Sequence, residues 1–270
     1  MKSPADYIQF PKNEKKRTPE GVTLFLDFST TVLLKAGEIA RSYFDAKYTV
    51  EVKKDSSFVT QVDKEIDLYI RETIEQRFPD HGIFSEEYSE KSSSSSSYRW
   101  ILDPIDGTFS FLSGIPFYSI LLALEVDDQL VFGAMAFPEL HRIYSGGIGC
   151  PPECNGKPLL NTRRQSLSSS LILTTDPCSL YSHDQPFTTA LFKGCKAMRT
   201  WADSYAYAML LDGKADIALD FGMKLWDCAA IIPILEASQC VYDFRKRTAD
   251  TYDLISATHD TLLQEVLALR

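Results

Sequence analysis

The sequence predicts an α+β first half followed by an α/β second half, and three observations carry this prediction. Apolar residues recur at helical spacing in two stretches of the first half. Over residues 118–144 they form strand-like runs joined by short turns, which indicates an antiparallel sheet. After Pro151-Pro152 and the polar stretch 161–170, buried strand patterns alternate with helical ones. We therefore expect an α+β domain over residues 1–150 and an α/β domain over residues 151–270.

Two amphipathic helices are predicted at the start of the first half. One begins at Val22 and keeps apolar residues at helical spacing up to Tyr43. The other ends at Pro79-Asp80-His81-Gly82, because proline and glycine stop a helix. Its apolar stripe recurs at every fourth residue and consists of Val62, Ile66, Ile70, Ile74 and Phe78.

Short strands fill the rest of the first half. Ile83-Phe84 and Trp100-Ile101-Leu102 have strand patterns, and the serine run 92–97 between them is typical of a flexible surface loop. Two strands with a turn at Asp127-Asp128 follow, and a third ends before Gly146-Gly147. The predicted strands of this meander span residues 118–126, 130–137 and 141–144.

The second half predicts another, mixed sheet with helices packed on it. Buried strands are expected over residues 171–174, 217–219 and 254–257. Helices are expected over residues 203–211, 227–237 and 261–269, between and after these strands. This alternation is typical of an α/β arrangement.

The composition excludes several classes of protein. The chain has 270 residues, of which 44% are hydrophobic and 24% charged, as in water-soluble globular proteins. Its formal net charge of −9 would repel a phosphate backbone, so nucleic-acid binding is not expected. Its apolar stretches are far shorter than the roughly 20 residues that cross a bilayer, and its amino terminus lacks the apolar core of a secretory signal. We expect a cytoplasmic protein that does not bind a membrane.

The segment Trp100-Ile-Leu-Asp-Pro-Ile-Asp-Gly-Thr108 carries the strongest chemical signal. A buried strand runs into Asp103 and Asp106, and Pro104 favours a turn that lets both carboxylates face one ion. Gly107 leaves room for a ligand to approach the backbone, and a helix starting at Thr108 would present free N–H groups to an anion. The alternative is an ordinary Asp-Pro turn that caps a helix.

Three other acids stand at the ends of predicted elements. Glu86 follows a short strand, while Asp63 and Asp227 open helices, so their side chains can converge on one cleft. Each has a structural alternative, because Glu86 can be a solvated loop charge and the two aspartates can be helix N-caps.

These segments together resemble the inositol monophosphatase family of metal-dependent phosphatases. The family pattern is V-T-x-x-D, G-E-E, D-P-[IL]-D-G-T and W-D-x-A in that order. This chain has Val59-Thr-Gln-Val-Asp63, Ser85-Glu-Glu87, Asp103-Pro-Ile-Asp-Gly-Thr108 and Trp226-Asp-Cys-Ala229. The resemblance spans most of the chain and implies an alternating αβαβα sandwich and a homodimer.

Within the family, the chain is most similar to the histidinol-phosphatase branch. Phe111-Leu-Ser-Gly-Ile-Pro116 resembles that branch's F-[IL]-S-G-[IL]-P, and Arg199-Thr-Trp-Ala-Asp-Ser-Tyr205 resembles its R-T-W-G-D-C-Y. Three positions depart from the pattern: Ser85 stands for glycine, Phe109 for a basic residue and Ala202 for glycine. These departures leave the expected metal ligands in place.

The resemblance implies a role for each matching residue. Glu86, Asp103 and the carbonyl of Ile105 would hold one Mg²⁺. Asp103, Asp106 and Asp227 would hold a second, and a third, weaker ion would lie toward Glu86 and reach Asp63 through water. All-oxygen ligation favours Mg²⁺, with Mn²⁺ as a substitute.

The same resemblance implies hydrolysis of a small phosphorylated alcohol by a metal-activated water. Thr108, paired with Asp63, would orient that water, and the amides of Gly107 and Thr108 would hold the phosphate. Asp203 and Asp220 would contact the alcohol, where a carboxylate suits the amine of histidinol phosphate. For these last two the alternative is structural, with Asp203 capping a helix and Asp220 ending a strand.

Other functions stay open at this point. Inositol 1-phosphate is the nearest alternative substrate, and a 3′,5′-bisphosphorylated nucleoside is a weaker one because no added basic cluster stands ready for a second phosphate. A different class is a catalytically silent module that binds metal or phosphate. Retention of Asp63, Thr108 and all the expected ligands favours the enzyme.

Overall fold

The computed structural model describes residues 22–44, 46, 50–52, 58–88, 90, 96–201 and 203–270. Most of the predicted serine loop and the departure at Ala202 lie outside these residues. The helices of the described part are α1 (Val22–Tyr43), α2 (Gln61–Arg77), α3 (Thr108–Leu112), α4 (Pro177–His183), α5 (Gln185–Gly194), α6 (Ser204–Leu211), α7 (Leu225–Cys228), α8 (Ile231–Ala237) and α9 (Asp260–Leu267).

The strands of the described part form three sheets, the smallest being a hairpin of the first two strands. In chain order the strands are β1 (Val50–Val52), β2 (Phe58–Thr60), β3 (Gly82–Ser85), β4 (Tyr98–Asp106), β5 (Ser119–Val126), β6 (Gln129–Phe137), β7 (Arg142–Gly147), β8 (Cys150–Cys154), β9 (Lys157–Pro158), β10 (Leu171–Leu173), β11 (Ala197–Arg199), β12 (Ile217–Met223), β13 (Val241–Lys246) and β14 (Tyr252–Ala257).

The first large sheet has the order β3-β4-β5-β6-β7-β8-β9. Its strands from β4 onward pair antiparallel, as predicted, whereas the edge strand β3 pairs parallel with β4. The turn at Asp127-Asp128 joins β5 and β6, and both aspartates have positive φ, of 50° and 60°. The sheet continues to Pro158, past the expected domain boundary near residue 150, which stays a prediction.

The glycines expected to follow the third meander strand lie inside it instead. Gly146 and Gly147 are the last two residues of β7, and the strand at Gly147 packs too closely against β6 to carry a side chain. A Cβ atom at Gly147 would lie 2.2 Å from the carbonyl oxygen of Val131. The sequence pattern placed these glycines after the strand, whereas they are its last two residues and Gly147 marks a close approach of two backbones.

The second large sheet has the order β11-β10-β12-β14-β13 and is mixed, as predicted. Strand β10 pairs parallel with β11 and β12, while β14 pairs antiparallel with β12 and β13. The single helix expected over residues 227–237 is two helices, α7 and α8. Pro233 lacks an N–H and its ring would clash with the carbonyl of Ala229, so the helix breaks between them.

The helices and sheets stack in five layers, and three apolar clusters hold the layers together. Helices α1 and α2 pack on the outer face of the first sheet through Trp100 and Leu102 of β4. Ile101, between them, points to the opposite face and joins the central cluster, which holds α6, α7 and α8 between the two sheets. The outer face of the second sheet is covered by α4, α5 and α9. The order is the predicted αβαβα sandwich. Within the described residues, no helix has both the length and the apolarity required to cross a membrane.

Candidate metal centre and active site

The buried end of β4 carries Asp103 and Asp106. Pairing with β5 skips from Asp103 opposite Leu121 to Asp106 opposite Ser119, so β4 has one extra residue here. The irregularity contains Pro104, which has no N–H to donate to the sheet. The predicted turn is therefore a bulge inside the strand, and it leaves both carboxylates at the same sheet edge.

Backbone and hydroxyl donors hold both carboxylates in place. The amide of Ile105 donates to Asp103 Oδ1 over 3.0 Å. Asp106 Oδ2 accepts from the amide of Ser204 over 2.8 Å and from the hydroxyl of Ser119 over 3.2 Å. Ser119 and Ser204 carry no signal in the sequence that would have assigned them to the site. Each carboxylate keeps a second oxygen that can serve a ligand.

Gly107 and Thr108 make the predicted transition from strand to helix. Gly107 has φ of 82°, a conformation that favours glycine, and α3 begins at Thr108. The hydroxyl of Thr108 donates to the carbonyl of Ile105 over 3.1 Å. The Thr108 hydroxyl is thus directed to Ile105 in this structure, and its expected pairing with Asp63 stays a prediction.

Asp63 lies in the first turn of α2 and is not its N-cap. Thr60 caps the helix, and its amide and hydroxyl both donate to Asp63 Oδ2. The Thr-x-x-Asp spacing is a capping-box pattern that could have revealed this from the sequence. The other oxygen, Asp63 Oδ1, is buried and has no hydrogen-bond partner among the described residues. A buried carboxylate oxygen without a donor indicates a place for a cation or a water molecule.

Glu86 and Asp227 approach from two further elements. The amide of Glu86 extends the pairing of β3 with β4 by donating to the carbonyl of Leu102 over 3.3 Å. Asp227 Oδ2 accepts from the amide of Lys224, the N-cap of α7, over 2.7 Å, so Asp227 also lies inside the first turn. The rings of Phe84 and Trp226 lie 5.4 Å apart and pack α7 against β3.

The carboxylates of these acids are close enough to raise one another's pKa values. Burial raises the pKa of Asp103 well above its usual value, and repulsion from Glu86, Asp106, Asp227 and Asp63 raises it further. Burial, followed by repulsion from Asp106, raises the pKa of Asp227 to about 8. Burial also raises the pKa of Asp63 to about 6, although hydrogen bonds from Thr60 act against this shift.

The donor set fits a divalent cation with oxygen ligands. Among the described residues, no three His, Cys, Asp or Glu side chains are close enough together to enclose an ion, so the acids line the cleft without closing on one point. A bound cation would nevertheless offset the repulsion between the acids, and it would give the buried Oδ1 of Asp63 a partner. Carboxylate and carbonyl oxygens are the ligands that Mg²⁺ and Mn²⁺ prefer.

A cavity of about 210 Å³ opens beside these acids, lined in part by Asp106, Asp227, Asp203 and Asp220. Asp203 precedes α6, but its side chain caps no helix N–H; it accepts from the hydroxyl of Ser110 over 3.3 Å. Its backbone has φ of 56° and ψ of −151°, which is rare for a residue with a side chain. Burial, then repulsion from Asp106 and Asp220, raises its pKa well above the usual value.

Asp220 lies within β12 and does not end it. Its oxygens accept from the amide of Thr175 over 2.6 Å, from the hydroxyl of Thr174 over 3.3 Å and from that of Tyr207 over 3.2 Å. Burial raises its pKa to about 7, and these hydrogen bonds act against that shift. Asp220 thus has a structural role in addition to lining the cavity, and sequence reasoning missed its partners.

Comparison with known proteins decides the family. The sequence model of the inositol monophosphatase family matches residues 22–268. The chain belongs to the inositol monophosphatase family. It is 37% identical to a histidinol-phosphatase from Chlorobaculum parvum over 83% of this chain and 88% of that protein.

Solved structures of the family share the fold. An inositol monophosphatase from Zymomonas mobilis has a TM-score of 0.81 and 25% identity, covering 93% of this chain and 99% of its own. An IMPase/NADP phosphatase in complex with Mg²⁺ and phosphate has a TM-score of 0.78 and 20% identity, covering 92% and 95%. Inositol monophosphatase family members are metal-dependent phosphatases, so this chain is a phosphoric monoester hydrolase that acts on small phosphate esters.

Proposed function

We propose that this inositol monophosphatase family member hydrolyses histidinol phosphate to histidinol and phosphate in the presence of Mg²⁺. The observation that carries the proposal is the group of buried acids around Asp103, which borders a cavity with further carboxylates. The metal-site acids account for the hydrolysis. The cavity acids, Asp203 and Asp220, account for the choice of a cationic alcohol.

The expected ligands divide between two ions. Glu86, Asp103 and the Ile105 carbonyl would hold one Mg²⁺, and Asp103, Asp106 and Asp227 a second. A third, weaker ion would lie toward Glu86 and Asp63, and Mn²⁺ is a plausible substitute at each place. When bound, such ions supply the positive charge that stabilises phosphoryl oxygens and lowers the pKa of water.

The chain's own residues position the phosphate and move the proton. The amides of Gly107 and Thr108 would hold the phosphate at the start of α3. Asp63 Oδ1 would accept a proton from the hydroxyl of Thr108, which would itself take one from the attacking water. This relay requires the Thr108 hydroxyl to leave the carbonyl of Ile105 and turn to Asp63 Oδ1. As the bond from phosphorus to the leaving oxygen breaks, that oxygen would take its proton from a second water molecule and leave as the alcohol.

Charge supports histidinol phosphate as the substrate. Its alcohol carries a primary amine, which is protonated at neutral pH. Burial raises the pKa values of Asp203 and Asp220, and a bound ammonium group would favour their ionised forms and pair with them. The similarity to a histidinol-phosphatase over most of both chains supports the same choice.

Inositol 1-phosphate is the second candidate. The carboxylates that would bind an amine can also accept hydrogen bonds from a polyol, and a structural relative is an inositol monophosphatase. A 3′,5′-bisphosphorylated nucleoside is less favoured, because no lysine or arginine of the described residues lines the cavity. The expectations of a homodimer and of a cytoplasmic location stay predictions.

Phosphate release distinguishes these possibilities. We would measure it with histidinol phosphate, inositol 1-phosphate and 3′-phosphoadenosine 5′-phosphate, each with Mg²⁺ and with EDTA. A preference for histidinol phosphate that disappears in EDTA is the expected result. Preference for another ester would overturn the substrate, and activity that persists in EDTA would overturn the role of the metal.

A further inference from the structure

The turn that carries Glu86 is held by side chains of α2. Asp67 lies one helical turn after Asp63, and Arg71 lies one turn after Asp67, so the three share a face of the helix. The side chain of Asp67 is fully buried and that of Arg71 is 12% exposed. Buried charges on this face need a partner, and the turn after β3 supplies their contacts.

These contacts fall on the residues to either side of Glu86. On one side, Arg71 Nη2 donates to the hydroxyl of Ser85 over 2.9 Å. On the other side, the amide of Glu87 donates to Asp67 Oδ2 over 3.3 Å. The backbone of Glu86 is therefore fixed before and after its own residue by one helix.

Two further contacts of Arg71 belong to this arrangement. Arg71 Nε lies 3.7 Å from Asp67 Oδ1, so the two charges form an ion pair. The guanidinium carbon of Arg71 lies 5.8 Å from the centroid of the Tyr88 ring, within cation–π range. Burial raises the pKa of Asp67, whereas its interactions with Ser85, Arg71 and the amide of Glu87 lower it.

We propose that Asp67, Arg71 and Ser85 act as positioning residues that fix Glu86 relative to Asp63 and thereby set the affinity of the metal centre. We call these three side chains the Glu86 brace. The inference rests on the proposed function, because it assumes that Glu86 is a metal ligand. Arg71 acts through the side chain of Ser85, and Asp67 acts through the backbone amide of Glu87, so the two hold the residues on both sides of Glu86.

Ser85 is the member of the brace that departs from the family pattern. Glycine stands at this position in the family pattern, and glycine could not accept the hydrogen bond from Arg71. The hydroxyl at position 85 therefore adds a contact that the common pattern lacks. Partners of this kind, which hold a ligand without touching the metal, typically change metal affinity by about 10–100-fold when they are removed.

Direct Mn²⁺ binding, followed by electron paramagnetic resonance, tests the brace without measuring catalysis. Asp67→Asn keeps an oxygen that can accept from Glu87 but removes the charge that faces Arg71, and we expect it to raise the Kd of Mn²⁺ about tenfold. Ser85→Ala removes only the contact with Arg71 and should cause a smaller rise. Glu72→Gln is the matched control, because it makes the same chemical change at an exposed position of α2.

Thermal unfolding of the metal-free variants identifies a merely structural role. A brace residue that only stabilised the fold would lower the unfolding temperature and leave the Kd of Mn²⁺ unchanged. If Asp67→Asn does not fold, Ser85→Ala alone decides the test.

The possible results separate this inference from the proposed function. Kd values of both variants within about twofold of the control would overturn the brace while leaving the metal-dependent function intact. Failure of the unmodified protein to bind Mn²⁺ at all would overturn the proposed function, and the brace with it. A raised Kd in Asp67→Asn or Ser85→Ala, with no change in Glu72→Gln, supports the brace.

Discussion

The carboxylate of Asp203 lies against the backbone of Gly107. A Cβ atom placed on Gly107 would be 2.5 Å from Asp203 Oδ2, well inside van der Waals contact. This contact joins the loop after Asp106, where phosphate is expected, to the cavity where the alcohol is expected. The expected phosphate site and the expected alcohol site therefore meet at Gly107, where the absence of a side chain leaves room for Asp203.

Gly107→Ala should accordingly weaken substrate binding, and it should do so more than a glycine-to-alanine change that causes backbone strain alone. Alanine at φ of 82° is strained, and its methyl group would also displace Asp203. We expect the KM for histidinol phosphate to rise at least about tenfold, on the scale of losing a hydrogen bond to a charged group. Gly156→Ala is the control, because Gly156 has φ of 73° and its Cβ atom would meet nothing within 4 Å. A KM equal in both variants would contradict this account.

Asp203→Asn should discriminate between charged and neutral alcohols. The substitution keeps the size of the side chain and removes the charge that would attract an amine. We expect the KM for histidinol phosphate to rise about tenfold while that for 4-nitrophenyl phosphate, which has no amine, stays within about twofold. Steady-state kinetics with the two esters measures this difference. An equal rise for both would indicate that Asp203 shapes the cavity and does not recognise charge.

The stability of the metal-free protein should fall as the pH rises. The pKa values of Asp63, Asp220 and Asp227 are raised to about 6, about 7 and about 8, whereas an aspartate in the unfolded chain has a pKa of about 3.9. Between these limits the folded state binds more protons than the unfolded state. The free energy of unfolding therefore decreases from about pH 4 to about pH 8.

Thermal unfolding in EDTA measures this dependence, with a second series in Mg²⁺. Mg²⁺ should restore stability most at about pH 8, because it favours the ionised carboxylates. Asp227→Asn removes one of the shifted groups and should flatten the dependence. A metal-free protein that is more stable at about pH 8 than at about pH 5 would be incompatible with the raised pKa values.

Gly133→Ala tests how the central layer packs on the first sheet. A Cβ atom on Gly133 would lie 1.9 Å from the carbonyl oxygen of Ala230, where α7 meets α8. Such overpacking against a backbone should lower the free energy of unfolding by about 3 kcal/mol. Gly37→Ala is the control, since its Cβ atom would make ordinary 3.5 Å contacts with the side chain of Pro138. Gly37 lies inside α1, where alanine is favoured over glycine by about 0.5–1 kcal/mol. Denaturant unfolding that gives similar values for both would contradict this packing.

The fold was predictable where one periodicity dominated. The apolar stripe of Ile66, Ile70 and Ile74 predicted α2, and the runs beside Asp127-Asp128 predicted the β5–β6 hairpin. Strands β11 and β13 were missed. The three residues of β11 are too few to establish a period, and in β13 the charged residues Asp243, Arg245 and Lys246 interrupt the apolar run. Gly147 was misplaced because its role, a close approach to Val131, depends on residues distant in the sequence.

The sequence predicted which residues line the site, but it did not predict the hydrogen bonds that these residues make. Motif spacing placed Asp103, Asp106 and Gly107 at the end of a buried strand, and the structure has them there. No local pattern indicated that Ser204 would donate to Asp106, since 98 residues separate them. The sequence also contained no sign that the Thr108 hydroxyl would donate to the carbonyl of Ile105, and its expected pairing with Asp63 stays a prediction.

The central claim is that the acids around Asp103 hold the metal ions that make this chain a phosphatase. Turnover of histidinol phosphate in saturating Mg²⁺, compared among the unmodified protein, Asp103→Asn, Asp227→Asn and the exposed control Asp27→Asn, tests it most directly. We expect folded Asp103 and Asp227 variants whose turnover is lower by at least about 100-fold, with Asp27→Asn unchanged. Near-normal turnover in Asp103→Asn or Asp227→Asn would contradict the account.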